Sequence, residues 1–224
     1  MQWREFSVQL GALHETHFAL QPDAVRNNFS AAIWKLLAEA PAALDKRLVV
    51  EKTPLNLLAF KDLAILFPEA KFIHVVRDGR DVVASLLQRD WRDPQTGAPF
   101  AHVTDARAAA GYWSGLAGIG RQAELTIDNP QRFHVLPYER LVNKPAQTLH
   151  ALFEFLEEPF DDRVMQFYDN EIPLVGIECE SRPRLAKPIS DDCVGRWRAD
   201  LSPEQIDMVN NSASAVLRAF NYPV

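Results

Sequence analysis

Short apolar runs alternate along this chain with longer stretches of helical periodicity, and no other feature constrains the fold as strongly. Three runs are typical of buried strands, at residues 47–51, 71–76 and 133–136. Segments such as 56–67 and 104–127 instead carry apolar residues at helical spacing. Strands separated by helices need crossover connections and therefore pair in parallel. The sequence thus predicts the α/β class, as a three-layer α/β/α arrangement around a central parallel sheet.

The carboxyl ends of the predicted strands indicate where a ligand binds. In open parallel sheets, ligands lie beyond these ends. The side chains there are Lys52, Arg77 and Tyr138. Two cations and a phenol at one edge suit an aromatic polyanion. With 224 residues, one domain spanning the whole chain is expected.

Residues 71–91 carry the strongest local pattern, an apolar strand followed by Arg77, an Asp-Gly turn and a helix. Free N–H groups at a helix start favour an anion, and an arginine can bind a phosphate with two parallel hydrogen bonds. Ser85 and Arg89 are four residues apart and are predicted to share a helix face, on which Asp81 also lies. The same pattern occurs on ordinary surface helices, so physical reasoning supports a phosphate site and a solvated face equally.

The run FIHVVRDGRDVVAS resembles the segment that binds the nucleotide 3′-phosphate in sulfotransferases. In that family an Arg at a strand end and a Ser eight residues later hold the phosphate, and Arg77 and Ser85 match this spacing. The tyrosylprotein sulfotransferase branch has a further Arg four residues after the Ser, which Arg89 matches. The resemblance implies a P-loop NTPase-like sulfotransferase fold. It also implies metal-free sulfuryl transfer from 3′-phosphoadenosine 5′-phosphosulfate (PAPS) to an acceptor hydroxyl or amine.

Two further segments resemble the same family. VVEKTPLNL is similar to its Lys-x-Pro segment, which implies that Lys52 contacts the bridging oxygen of the donor. VLPYERLVNKP is similar to its Tyr-Glu stretch, which implies that Tyr138 lies near the nucleotide and Glu139 orients the loop. The alternatives are a solvated lysine at a strand end and a buried tyrosine with a satisfied hydroxyl.

Near the C-terminus, CVGRWRADLS resembles the Gly-x-Trp segment that follows a loop closing over the donor. Cytosolic members carry Arg-Lys-Gly shortly before that Trp, whereas this chain has Ser-Asp-Asp, so that contact is not implied. Lys187, Ser190 and Arg196 are weaker candidates for donor binding. Trp197 is expected to serve in packing.

The glycine pattern departs from the family. Sulfotransferases hold the 5′-phosphosulfate in a loop rich in Gly and Ser/Thr after the first strand, because glycine lets the backbone wrap an anion. Here no glycine occurs between Gly11 and Gly79, and the residues before Gly11 contain no buried strand. We therefore expect a start downstream of the first strand and loop, or a genuinely loopless variant. A non-catalytic nucleotide-binding remnant is the alternative to an enzyme, and a P-loop kinase is disfavoured because GxxxxGK[ST] is absent.

The segment LHETHFAL resembles the family's stretch after the loop helix, in which a Glu can act as base. This implies Glu15 as the catalytic base, with His14 and His17 as alternatives. Residues 92–104 and 171–190 are expected to line the acceptor side, where their composition suits sugar, peptide or lipid equally.

The composition limits which kinds of ligand, metal and cellular location are expected. The chain has 30 acidic against 24 basic side chains, a net charge of -6, which argues against binding a nucleic-acid backbone. A few arginines still suffice for a small anion.

No apolar run approaches the roughly 20 residues of a membrane span, and the start lacks a secretory apolar region. Two cysteines cannot form a disulfide framework, and no HExxH occurs. We expect a cytoplasmic protein without a metal, and the oligomeric state stays open.

Overall fold

The computed structural model describes residue 24 and residues 27–35, 48–169 and 186–224. The chain divides into two units, Met1–Ala70 and Lys71–Val224, and each is described by itself. The second unit contains a parallel sheet surrounded by helices, so the predicted α/β class is confirmed.

The regular structure described in the first unit is helical. Residues 27–35 form α1, a 3-10 helix spans Pro54–Ala59, and α2 spans Phe60–Leu66. The predicted strand at 47–51 is wrong over its described residues, since 48–51 have no regular structure and Val50 is 87% exposed. An apolar run favours an extended chain, but a strand also requires a neighbour with which it forms a ladder.

The sheet of the second unit confirms the other two predicted strands. β1 spans Phe72–Val76 and β2 spans Phe133–Pro137. The strands pair in parallel from Phe72 opposite Phe133 to Val76 opposite Pro137. A parallel pair needs a long crossover, and helices supply it here. The helices between the strands are α3 (Gly79–Leu86), α4 (Ala101–Thr104), α5 (Ala106–Thr126) and a short 3-10 helix, Pro130–Arg132.

The helices after β2 complete the unit. Pro203 lies at the start of α9, and Ser202 caps this helix by accepting from the Gln205 N–H at 3.3 Å, which confirms the predicted N-terminus. The Gln205 side chain accepts in return from the Ser202 N–H. The remaining elements are α6 (Tyr138–Asn143), α7 (Pro145–Leu156), a 3-10 helix Asp162–Asp169, α8 (Trp197–Asp200) and α9 (Pro203–Ala219).

The core of this unit lies where α5 packs against α3 and α9. Small side chains on α5, such as Ala109 and Ala110, are completely buried and let the helices approach closely. Gly79 serves the same purpose at the start of α3, because a Cβ there would lie 2.5 Å from the nearest atom of the Trp113 ring. The strand-to-helix turn after β1 is therefore held directly against α5. In the part of the chain that the structure describes, no helix is long and apolar enough to cross a membrane.

Candidate nucleotide-binding site

Arg77 and Tyr138 meet at the carboxyl edge of the sheet. Val76 and Pro137 are register partners, so the residues that follow them leave adjacent strand ends. The Arg77 Cζ lies 4.9 Å from the centroid of the Tyr138 ring, a cation–π contact. The juxtaposition expected from the order of strands is therefore present for this pair.

The guanidinium of Arg77 is incompletely satisfied. Its Nη2 donates to the Cys193 carbonyl and lies 3.8 Å from Oδ2 of Asp81. The Arg77 side chain is 20% exposed. Its Nε is buried and has no hydrogen-bond partner in the described part of the chain. A buried charged donor without a partner is costly, so the Arg77 guanidinium keeps hydrogen-bonding capacity that the described residues do not use.

Ser85 lies one helical turn beyond Asp81 on α3. Four residues of α-helix rise about 6 Å, and the guanidinium already reaches Asp81. Ser85 is partly exposed. The contact of the Ser85 hydroxyl with a 3′-phosphate stays a prediction.

Arg89 lies beyond the end of α3, so the prediction that it shares one helix face with Ser85 is wrong. The helix ends at Leu86. The Gln88 N–H then donates to Ser85 O at 3.3 Å and the Arg89 N–H to Leu86 O at 2.9 Å, the spacing of a tighter 3-10 turn. The contact proposed between Arg89 and the phosphate stays a prediction, but helical periodicity no longer supports it.

The turn that carries Arg77 is held by Glu139, the residue after Tyr138. Its Oε1 accepts from the Asp78 N–H at 2.8 Å, and its Oε2 accepts from the Tyr222 hydroxyl at 2.8 Å. Burial raises the pKa of Tyr222, and the nearby Glu139 carboxylate raises it further. The phenol therefore stays protonated and donates. Asp78 caps α3 and pairs with Arg80 through bonds of 3.0 and 2.7 Å.

A C-terminal segment, Cys193–Trp197, is bonded to α3 through Asp81. This carboxylate is completely buried. Its Oδ2 accepts from the Gly195 N–H at 2.8 Å and its Oδ1 from the Trp197 N–H at 3.0 Å. Sequence reasoning noted only its helical spacing to Ser85, because partners more than a hundred residues away leave no local pattern. Trp197 packs under the Arg80 guanidinium, with 4.3 Å from Cζ to the ring centroid.

Among the described residues, no hydrogen bond or ion pair joins Arg77 to the other C-terminal candidates. Lys187 and Ser190 are exposed, and the Ser190 hydroxyl donates to Asp192 at 2.9 Å. Arg196 donates to Asp200 at 2.5 Å, and this hydrogen bond raises the pKa of the guanidinium. Its charge is therefore already balanced. Their role in donor binding stays a prediction.

The proposed catalytic residues belong to the first unit. Lys52 is exposed and precedes the 3-10 helix Pro54–Ala59. Its neighbour Glu51 accepts from the Thr53 hydroxyl at 2.6 Å and from Asn56, which shapes this loop. Glu15 lies outside the described residues, as do its alternatives His14 and His17. Within the described ranges, no group of three His, Cys, Asp or Glu side chains is arranged to hold a metal.

The segment expected to line the acceptor side contains an aromatic stack. A short hairpin places the Phe100 N–H 3.0 Å from the Trp91 carbonyl. The His102 ring then lies between Phe100 and Tyr112, with centroid distances of 5.4 and 4.3 Å. Trp91 and Tyr112 are partly open to solvent, at 41% and 37% exposure. Residues 170–185 are outside the described part of the chain, and the acceptor assignment stays a prediction.

Together, the fold and the site define an α/β protein with an arginine at the carboxyl edge of a parallel sheet. The family model for sulfotransferases matches residues 4–162. The chain therefore belongs to the sulfotransferase family.

Relatives and solved structures agree with this assignment. The chain is 25% identical over 224 residues to protein-tyrosine sulfotransferase A of Caenorhabditis elegans, covering 99% of this chain and 56% of that protein. It is 30% identical over 114 residues to the omega-hydroxy-beta-dihydromenaquinone-9 sulfotransferase of Mycobacterium tuberculosis, covering 50% of this chain and 29% of that protein. The chain thus spans little more than half the length of the one and under a third of the other.

Two solved structures share the fold. A sulfotransferase domain from the curacin biosynthetic pathway superposes with a TM-score of 0.59 at 19% identity, covering 85% of this chain and 68% of that one. A sulfotransferase domain from the Synechococcus PCC 7002 olefin synthase gives 0.60 at 21% identity, covering 80% and 63%.

Proposed function

We propose that this protein transfers a sulfuryl group from PAPS to an acceptor hydroxyl or amine. The acceptor oxygen or nitrogen attacks sulfur as the bond from sulfur to the bridging phosphate oxygen breaks. The acceptor proton passes to a base, and adenosine 3′,5′-bisphosphate leaves. Such transfer depends on positioning and on neutralising charge at the leaving oxygen.

The observation that carries this proposal is the position of Arg77. It follows β1, lies over the Tyr138 ring after β2 and keeps a buried Nε–H without a partner in the described residues. A guanidinium so placed, 3.8 Å from the Asp81 carboxylate that lies one turn before Ser85 on α3, suits a 3′-phosphate. Tyr138 suits the neighbouring nucleoside, and Arg89 is a further candidate for the phosphate.

The roles of Lys52 and Glu15 follow from the family resemblance. Lys52 is assigned to the leaving oxygen, and Glu15 to the acceptor proton, with His14 and His17 as alternatives. Lys187, Ser190 and Arg196 are weaker candidates for donor binding, because the chain does not match the family's Arg-Lys-Gly contact. The two relatives named above are a protein-tyrosine and a menaquinone sulfotransferase, so a peptide, glycan or small-molecule acceptor is proposed for this chain. A cytoplasmic location is part of the same proposal.

Calorimetric titration with adenosine 3′,5′-bisphosphate and with AMP tests the nucleotide site. The bisphosphate is expected to bind much more tightly, because only it has the 3′-phosphate. Arg77→Ala should weaken bisphosphate binding by about 1.5–3 kcal/mol, the range for a charge-assisted hydrogen bond. Equal affinity of wild type and Arg77→Ala would contradict the assignment.

A matched control lies at the opposite edge of the same strands. Arg132 immediately precedes β2, and its Cζ lies 5.5 Å from the Phe72 ring, so it makes the same kind of contact at the amino ends. Arg132→Ala should leave bisphosphate affinity unchanged. A labelled-PAPS assay then separates the enzyme from a non-catalytic nucleotide-binding remnant, which binds the bisphosphate without transferring sulfate.

A further inference from the structure

Asp81 joins two segments that are distant in sequence but adjacent at the nucleotide site. It lies in the first turn of α3, four residues after Arg77, and is completely buried. Both of its carboxylate oxygens are used, one by the Gly195 N–H and one by the Trp197 N–H. A single side chain thus fastens the segment Cys193–Trp197 to the helix that also carries Ser85.

The fastened segment in turn holds Arg77. The Cys193 carbonyl accepts a hydrogen bond from the Arg77 guanidinium, and Cys193 itself is buried. Gly195 has a φ of +72°, a left-handed conformation that glycine adopts without strain. Asp81 is therefore connected to Arg77 by two hydrogen bonds, one from the Gly195 N–H to Asp81 and one from Arg77 to the Cys193 carbonyl. The backbone between these two points includes the left-handed conformation of Gly195.

The charge of Asp81 acts in the opposite direction to its hydrogen bonds. A carboxylate 3.8 Å from the Arg77 guanidinium lowers the positive potential that an incoming phosphate experiences. Removing the charge alone would strengthen anion binding. Removing the two hydrogen bonds would release the segment that holds Arg77, and this would weaken anion binding.

We propose that Asp81 is a positioning residue of the nucleotide site, which fastens the Cys193–Trp197 segment so that Arg77 is held for the 3′-phosphate. This rests on the proposed function, because it concerns how the same site is preorganised. Preorganisation improves affinity by reducing the ordering that must accompany binding.

The test compares Asp81→Asn with wild type by calorimetry, using adenosine 3′,5′-bisphosphate and AMP as probes. The amide keeps the shape but replaces one acceptor with a donor, which faces a backbone N–H. Bisphosphate affinity should fall about tenfold or more, as for loss of a hydrogen bond to a charged group, while AMP affinity stays within about twofold. Asp207→Asn, an exposed aspartate on α9, is the matched control and should change neither.

Hydrogen exchange without ligand supplies an independent readout. The Gly195 and Trp197 amides should exchange slowly in wild type and markedly faster in Asp81→Asn. Should that variant not fold, Gly195→Ala perturbs the same segment without altering the charge of Asp81. Gly195→Ala should reduce the preference for bisphosphate over AMP, as expected for Asp81→Asn.

Three outcomes would overturn the proposal. Tighter bisphosphate binding by Asp81→Asn would show that its charge is what matters, and unchanged binding would show no role. An equal loss for both nucleotides would indicate general destabilisation. Failure of the proposed function is distinguishable, because wild type would then not prefer bisphosphate over AMP while the exchange result still reports on the fastening.

Discussion

Gly120→Ala should destabilise the protein even though alanine is the better helix former. Gly120 lies in the middle of α5 and faces β1. A Cβ at this position would lie 2.6 Å from both ring nitrogens of His74. The His74 ring cannot simply move aside, because it packs edge-on against Phe220 with 5.7 Å between centroids and also contacts Phe133.

The magnitude follows from two opposing terms. Replacing glycine by alanine inside a helix stabilises by about 1 kcal/mol, whereas overpacking a core costs about 1–3 kcal/mol. Gly115 provides the matched control on the same helix, since a Cβ there meets no atom within 4 Å among the described residues. Only the favourable term applies to Gly115→Ala. The two variants should therefore differ in unfolding free energy by about 1–3 kcal/mol, with Gly115→Ala the more stable.

Urea unfolding followed by circular dichroism measures this difference as a shift in midpoint at constant slope. A double variant, His74→Ala with Gly120→Ala, should be more stable than the sum of the single changes, because removing the imidazole removes the clash. If Gly120→Ala were as stable as Gly115→Ala, the close approach of α5 to β1 would be incorrect. Strict additivity in the double variant would likewise show that the His74 ring is not the obstacle.

Two further predictions concern the titration of His74 and the contribution of Lys52 to the rate of sulfuryl transfer. Burial lowers the pKa of His74 from its ordinary value of 6.5, although the Glu124 carboxylate partly opposes this. The unfolded chain therefore takes up this proton at a higher pH than the folded protein. The associated stability is fully present above about pH 6.5 and is lost as the pH falls towards the folded pKa. Unfolding free energies measured between pH 7.5 and about 5 should fall less steeply for His74→Asn than for wild type, and equal slopes would contradict the assignment. In a labelled-donor assay, Lys52→Ala should lower kcat and kcat/KM together, because a cation at the leaving oxygen acts in the transition state. Lys61→Ala, an exposed lysine on α2, should change neither, and a raised KM alone for Lys52→Ala would reduce Lys52 to a binding residue.

Local patterns were sufficient for the features that depend on neighbours in sequence. Apolar runs located β1 and β2, and the Ser-Pro-Glu start located the beginning of α9, because burial periodicity and capping involve residues a few positions apart. Topology then placed Arg77 and Tyr138 together. Strands that pair in parallel have their carboxyl ends at the same edge of the sheet, where ligands bind.

Tertiary structure decided the features that depend on partners far along the chain. The run at 47–51 has strand character but forms no strand over residues 48–51, and α3 ends at Leu86, short of Arg89. Asp81 reads locally as a polar residue in a first helical turn, yet it is completely buried beneath two amides of the Cys193–Trp197 segment. Hydrogen bonds across such separations are specified by packing geometry rather than by spacing, so the sequence by itself determined where Arg77 lies and only the folded chain decided what holds it there.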